Sequence, residues 1–245
     1  MENIPHEVLQ QGGFVGPRFT GVFFYRNVFW RVAIPVVFGT TQVNLLDALR
    51  IMPLETKREL SGRPDQIREY LRFWADCYDY DTGYQRSKSL VSRGSFIDEM
   101  IESTERELNS AVSDLCQQRP NSKARHSARD ATEKALKAFL ADRAGLTDSE
   151  AKTRFGHDLV KLSTEVARQA PSSPLAEVQN HLDVFAPYAD RYTSKAYSRT
   201  ELWHAYRLAQ SVAAEVLRAI TGVNQLSQIL ASPLFRSPNS TPPTP

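Results

Sequence analysis

The chain has 245 residues, 41% hydrophobic and 24% charged, with a formal net charge of +2. That length buries a sizeable core, as one large domain or two modest ones. The near balance of charge excludes a uniformly basic nucleic-acid coat, so any anion-binding surface must be a local patch.

The opening residues, Met-Glu-Asn-Ile-Pro-His-Glu, are acidic and polar and do not resemble a secretion signal. Two β-branched and aromatic runs follow, residues 21–27 and 28–38, bounded by Gly39. They predict a short β-hairpin whose second strand, carrying Pro35, belongs at an edge. The second run is also the longest apolar stretch. Broken by Arg31 and Pro35, it falls well short of the roughly 20 residues a membrane span needs.

Helix is expected from there on. Val43, Leu46, Leu49 and Ile51 predict a short helix stopped before Pro53. Ile67, Tyr70, Leu71 and Trp74 repeat at i, i+3, i+4 and i+7, with Asp65 as the expected N-cap. Residues 76–84, Asp-Cys-Tyr-Asp-Tyr-Asp-Thr-Gly-Tyr, read as a loop. Asp76, Asp79 and Asp81 invite comparison with a cation site. The segment lacks the glycine and terminal glutamate of a calcium loop, so no metal is assigned. Cys77 and Cys116 fall in apolar segments without metal-type pairing and read as buried free thiols, which fits a reducing cytoplasm.

Five apolar stripes occupy the second half. The first runs from Phe96 through Met100, Ile101, Leu108, Val112 and Leu115, ending before Pro120. The second carries Ala131, Ala135, Leu136, Ala138, Phe139 and Leu140 and ends at Gly145. Phe155, Leu159, Leu162 and Val166 give a third, stopped before Pro171. Leu175, Val178, Leu182 and Phe185 give a shorter fourth. The fifth carries Leu202, Tyr206, Ala209, Ala213, Val216, Leu217 and Ile220 and ends at Gly222. Each stripe needs a partner, and short linkers force neighbouring helices to run antiparallel. Ser232 to Pro245 carry five prolines, three serines and two threonines, a composition expected to be disordered.

The expected fold is mainly α: an antiparallel helical bundle over residues 95–222, an N-terminal α+β module with the hairpin over 1–90, and a tail over 232–245. The bundle resembles a known family at three places. Ser127-Ala-Arg-Asp-Ala-Thr-Glu-Lys-Ala-Leu-Lys-Ala-Phe-Leu is similar to an Ala-rich helix of HEPN domains. Gly156-His157-Asp158-Leu159 resembles the opening of their next helix, and Arg191-Tyr192 resembles an element before their last one. The resemblance covers about residues 95–222 and leaves 1–90 unassigned.

The resemblance implies a homodimeric helical domain that is either a metal-independent endoribonuclease or a non-catalytic binder of nucleotides or nucleic acid. The nuclease branch carries Arg, four to six residues, then His, which Arg199-Thr-Glu-Leu-Trp-His204 satisfies. His204 would then be the acid or base and Arg199 the phosphate-charge stabiliser. Arg119 and His126 satisfy the same pattern. Five helical residues also separate Arg199 from His204 by about 140°, so they converge only with help from a second copy. The first two landmarks look more like the branch without the nuclease motif.

Ser198-Arg-Thr-Glu201 reads as a capping box, which puts Arg199 in the first turn of the last helix, where a bound anion would relieve its conflict with the helix dipole. Residues 119–143 hold seven cations against three anions. The expected function is therefore a binding module for nucleotide or RNA phosphates, or for a protein partner through the N-terminal module. Its candidate contacts are Arg125, His126, Arg129, Lys137, His157 and Arg191, with no cofactor. The alternatives are the ribonuclease, a toxin or defence effector, and a structural dimerisation module.

Overall fold

The computed structural model describes residues 15–36, 44–188, 190, 195–232 and 235. Val43, Arg191, Tyr192 and nearly all of the 232–245 tail lie outside these residues. The described chain is mainly helical, with one two-stranded antiparallel sheet near its start.

Strands β1 (Val15–Tyr25) and β2 (Val28–Val36) form the hairpin, with Phe23 opposite Trp30 and Phe19 opposite Ile34. Arg26 and Asn27 both have positive φ, 51° and 58°, as a two-residue turn matched to strand twist requires. The turn contains no glycine, and tertiary contacts hold it. Arg26 pairs with Glu59 at 2.7 Å, and the carbonyl of Asn27 accepts from Arg199 Nη1 at 2.5 Å. Pro35 is accommodated because both strands of a two-stranded sheet are edges.

Between sheet and bundle the expected helix over 43–51 is only a 3₁₀ turn, Leu45–Ala48, capped by Asn44. Helix α1 (Leu54–Ser61) follows Pro53 and has no counterpart in the sequence reading. Helix α2 spans Pro64–Leu90, about 40 Å at 1.5 Å per residue. It starts on Pro64 rather than after Asp65, because a proline at the first helical position gives up an amide that has no intrahelical acceptor anyway. It also runs straight through residues 76–84. The expected loop is helix because Asp76 and Asp79 turn inward to an arginine and Gly83 meets another helix.

Helices α3 (Phe96–Leu115) and α4 (Lys123–Ala144) are joined by a short link. Helix α5 (Asp148–Glu150), opened by a Thr147–Glu150 capping box, widens into a π turn over Ala151–Phe155 and stops at Gly156. Phe155 therefore belongs to this turn and not to helix α6 (Leu159–Gln169), which is capped by Asp158. The fourth stripe is a 3₁₀ stretch, Pro174–Val184, whose buried Leu175 and Val178 stand three residues apart, one 3₁₀ turn. Helix α7 (Arg199–Thr221) opens with the expected Ser198–Glu201 capping box and ends on left-handed Gly222. Helix α8 (Gln225–Leu230) closes the described chain.

Helices α3, α4, α7 and α2 pack side by side in that order, with α6 and the 3₁₀ stretch against α4 and α7. Helix α4 can sit between two neighbours because one of its stripes is small: Ala124, Ala128, Ala131, Ala135 and Ala138 are at most 1% exposed. The hairpin lies on α2 and α7, where Phe23 meets Tyr70 and Trp203 edge-on at 5.1 and 5.5 Å. Buried residues from the hairpin through α7 form one continuous apolar cluster. No helix is long and apolar enough to cross a membrane among the described residues.

Candidate functional site

Helix α4 carries four of the candidate contacts, Arg125, His126, Arg129 and Lys137, and the structure gives them different duties. Arg125 is 10% exposed in its side chain. Its Nε donates to the Val184 carbonyl at 2.6 Å and its Nη2 to that of Asp183 at 3.1 Å. Its guanidinium also lies 4.4 Å over the Tyr197 ring. Arg125 thus ties the end of the 3₁₀ stretch to α4. His126 lies near Asp190, whose carboxyl is held below the usual range by hydrogen bonds from Tyr197 and then Lys195.

One turn on, Arg129 Nη2 donates to the His157 carbonyl at 2.6 Å, and the guanidinium lies 5.4 Å from the Tyr188 ring centre. Its other terminal nitrogen, Nη1, is buried and has no hydrogen-bond acceptor among the described residues, but it forms an ion pair with Glu133 Oε2 at 3.6 Å.

Two turns farther along α4, Lys137 Nζ reaches Glu133 Oε1 and the Gly156 carbonyl, both at 2.7 Å. Glu133 is 4% exposed, and both its oxygens stand 3.1 Å from His157 Nδ1. The sequence reading missed Glu133, although its place four residues from both Arg129 and Lys137 marks an ion-pair ladder on a helix. The ring of His157 stacks on Tyr188 at 4.9 Å and 15°. The helix motif and the Gly-His-Asp-Leu motif therefore meet in space.

Arg125 and Arg129 line a cavity of about 660 Å³, within the range of small-molecule sites. Its walls also include Asp158, Val160, Tyr188, Lys195 and Glu201. Two of its acids are engaged by their own helices. Asp158 is held low by the Lys161 amide it accepts, and Glu201 by the Ser198 amide. Both acids cap helix N-termini, while Glu201 Oε1 also stands 3.6 Å from Arg125 and half-exposed Lys195 pairs with Asp190 at 3.2 Å. Lys195, Tyr188 and Tyr197 were not foreseen, because no local pattern announces a ring under a guanidinium.

Arg199 and His204 are not brought together within one chain. Arg199 holds the hairpin turn, and exposed His204 lines a separate groove of about 500 Å³ with His181, Arg72 and Arg207. Asp76 and Asp79 are bound by Arg218 at 2.7 Å each, and no group of three or more metal-ligating side chains occurs among the described residues. Comparison of the chain with family models, with curated proteins and with solved structures gives no match.

Proposed function

We propose that the chain is a HEPN-like binding module that takes the phosphates of a nucleotide in the cavity walled by Arg125 and Arg129. The observation that carries the reading is that one cavity gathers Arg125, Arg129 and half-exposed Lys195 in its walls. A phosphate in the cavity would meet this positive charge, and charge-assisted bonds to guanidinium are among the strongest in proteins. Lys195 is the third cation of the lining. Tyr188 and Val160 give an aromatic and an apolar surface for the base. Meeting of the Glu133–Lys137 and Gly156–Asp158 motifs supports the family reading.

The ribonuclease alternative draws no support from Arg199, whose guanidinium is engaged by the hairpin. Titration calorimetry with nucleoside mono-, di- and triphosphates tests the proposal. Saturable binding is expected, rising in affinity with phosphate number and weakening with salt. Lys195→Ala should weaken it about tenfold, the loss of one charged hydrogen bond. No saturation by any nucleotide, or equal affinity for the parent nucleoside, would overturn it.

A further inference from the structure

Tyr197 stands immediately before the Ser198 cap of α7, and its one ring serves two of the cavity's cations. The Arg125 guanidinium lies 4.4 Å from the ring centre and the Lys195 ammonium 5.4 Å from it. Two like charges repel, whereas the electron-rich face of a ring attracts each of them. The ring is itself fixed at two points. Its hydroxyl donates to Asp190 Oδ2 at 2.9 Å, and the Tyr197 amide donates to Ser122 Oγ, at the start of α4, at 3.3 Å. Tyr197 is thus tied to the helix that carries Arg125 and to the carboxylate that pairs with Lys195.

Both cations keep donors for an anion. Arg125 gives Nε and Nη2 to the carbonyls of Val184 and Asp183, and its Nη1 makes no hydrogen bond among the described residues. The Lys195 ammonium has three hydrogens and a single carboxylate partner. Both side chains line the cavity and Tyr197 does not, so the tyrosine acts through them. Cations held together beforehand reward a ligand that brings two charges close together, because the cost of ordering them is already met. We propose that Tyr197 is the positioning residue that makes Arg125 and Lys195 one site for neighbouring phosphates. It thereby sets the preference of the cavity for nucleoside di- and triphosphates over monophosphates.

The inference rests on the nucleotide-binding reading, and calorimetry of the full chain with AMP, ADP and ATP separates the two. The quantity read is the gain in affinity from AMP to ADP, which general loosening of the site would leave in place. Tyr197→Leu should cut that gain about fivefold, the worth of a cation–π contact, while AMP binding changes far less. Tyr197→Phe keeps the ring and should keep the gain. Progressively fluorinated phenylalanine at position 197 preserves the shape while weakening the ring face, so the gain should fall in step. That series decides the matter even where Tyr197→Leu fails to fold. A gain unchanged in Tyr197→Leu, or flat across the fluorinated series, overturns the inference and leaves nucleotide binding standing. Loss of the gain in Tyr197→Phe assigns it to the hydroxyl and also overturns the inference. A parent that binds no nucleotide overturns both readings.

Discussion

Arg218 is 7% exposed and meets three carboxylates, two of them across the interface between α7 and α2. Its Nη2 donates to Asp76, its Nε to Asp79 and its Nη1 to Glu215, all within 2.9 Å. Asp79 also accepts the amides of Gln225 and Leu226, at 2.6 and 3.1 Å, and so anchors the first turn of α8. The cation that the acidic spacing of residues 76–81 seemed to invite from solution is a side chain of the protein. Sequence spacing revealed the acids because they are local. It did not reveal Arg218, which lies some 140 residues away.

Burial still outweighs the arginine at Asp76, whose carboxyl is pushed up to about 6 against the pull of Arg218. An acid that holds its proton more tightly when folded contributes stability that is complete below the unfolded value near 4. That contribution is lost as pH rises through about 6. Asp76→Asn should therefore change the pH dependence itself. Relative to the variant, the parent should lose unfolding free energy between pH 4 and pH 7, as read by urea titrations across that range. A constant difference between the two proteins would show that folding does not shift the Asp76 carboxyl.

The long helices are positioned at their ends by signals readable without any structure: Ser198 and Glu201 at the start of α7, Gly222 at its close, Gly145 after α4. Their middles are less legible. Helix α2 buries Asp76, Asp79 and Asp81 together with tyrosines, so its inner face does not carry the apolar stripe that marks a helix. Gly83 is part of the same disguise. A Cβ placed there would stand 2.9 Å from Leu217 Cβ, so glycine is what lets α2 and α7 approach. Alanine would bring about 1 kcal/mol of helix propensity, but the stem of Leu217 cannot swing aside and overpacking costs about 1–3 kcal/mol. Gly83→Ala should accordingly lower the melting temperature by about 2–4 °C. Gly62→Ala is the control. Gly62 ends α1 at φ −80°, with ordinary space around a built Cβ, so that variant should melt no lower than the parent. A Gly83→Ala protein as stable as the control would mean that the two helices have room to spare.

At the scale of the whole molecule, the hairpin and the bundle share one apolar core, and this contact was beyond reach of any local pattern. A two-stranded sheet is at best marginal alone in water, so β1 and β2 depend on what covers them. Phe23 is fully buried and packs on Tyr70, Phe73 and Trp203, which brings α2 and α7 onto the same ring. Arg199 fastens the other end of that contact by binding the turn at Asn27. Phe23→Ala should cost about 3–5 kcal/mol, the usual loss for emptying a large buried aromatic site. If the core is continuous in energy as well as in space, the loss falls on the bundle too. Helix content by circular dichroism and fluorescence from Trp30, Trp74 and Trp203 should then unfold in one coincident transition, displaced equally in both signals. A variant whose fluorescence changes first while its helix content holds would place an energetic boundary between the hairpin and the helices.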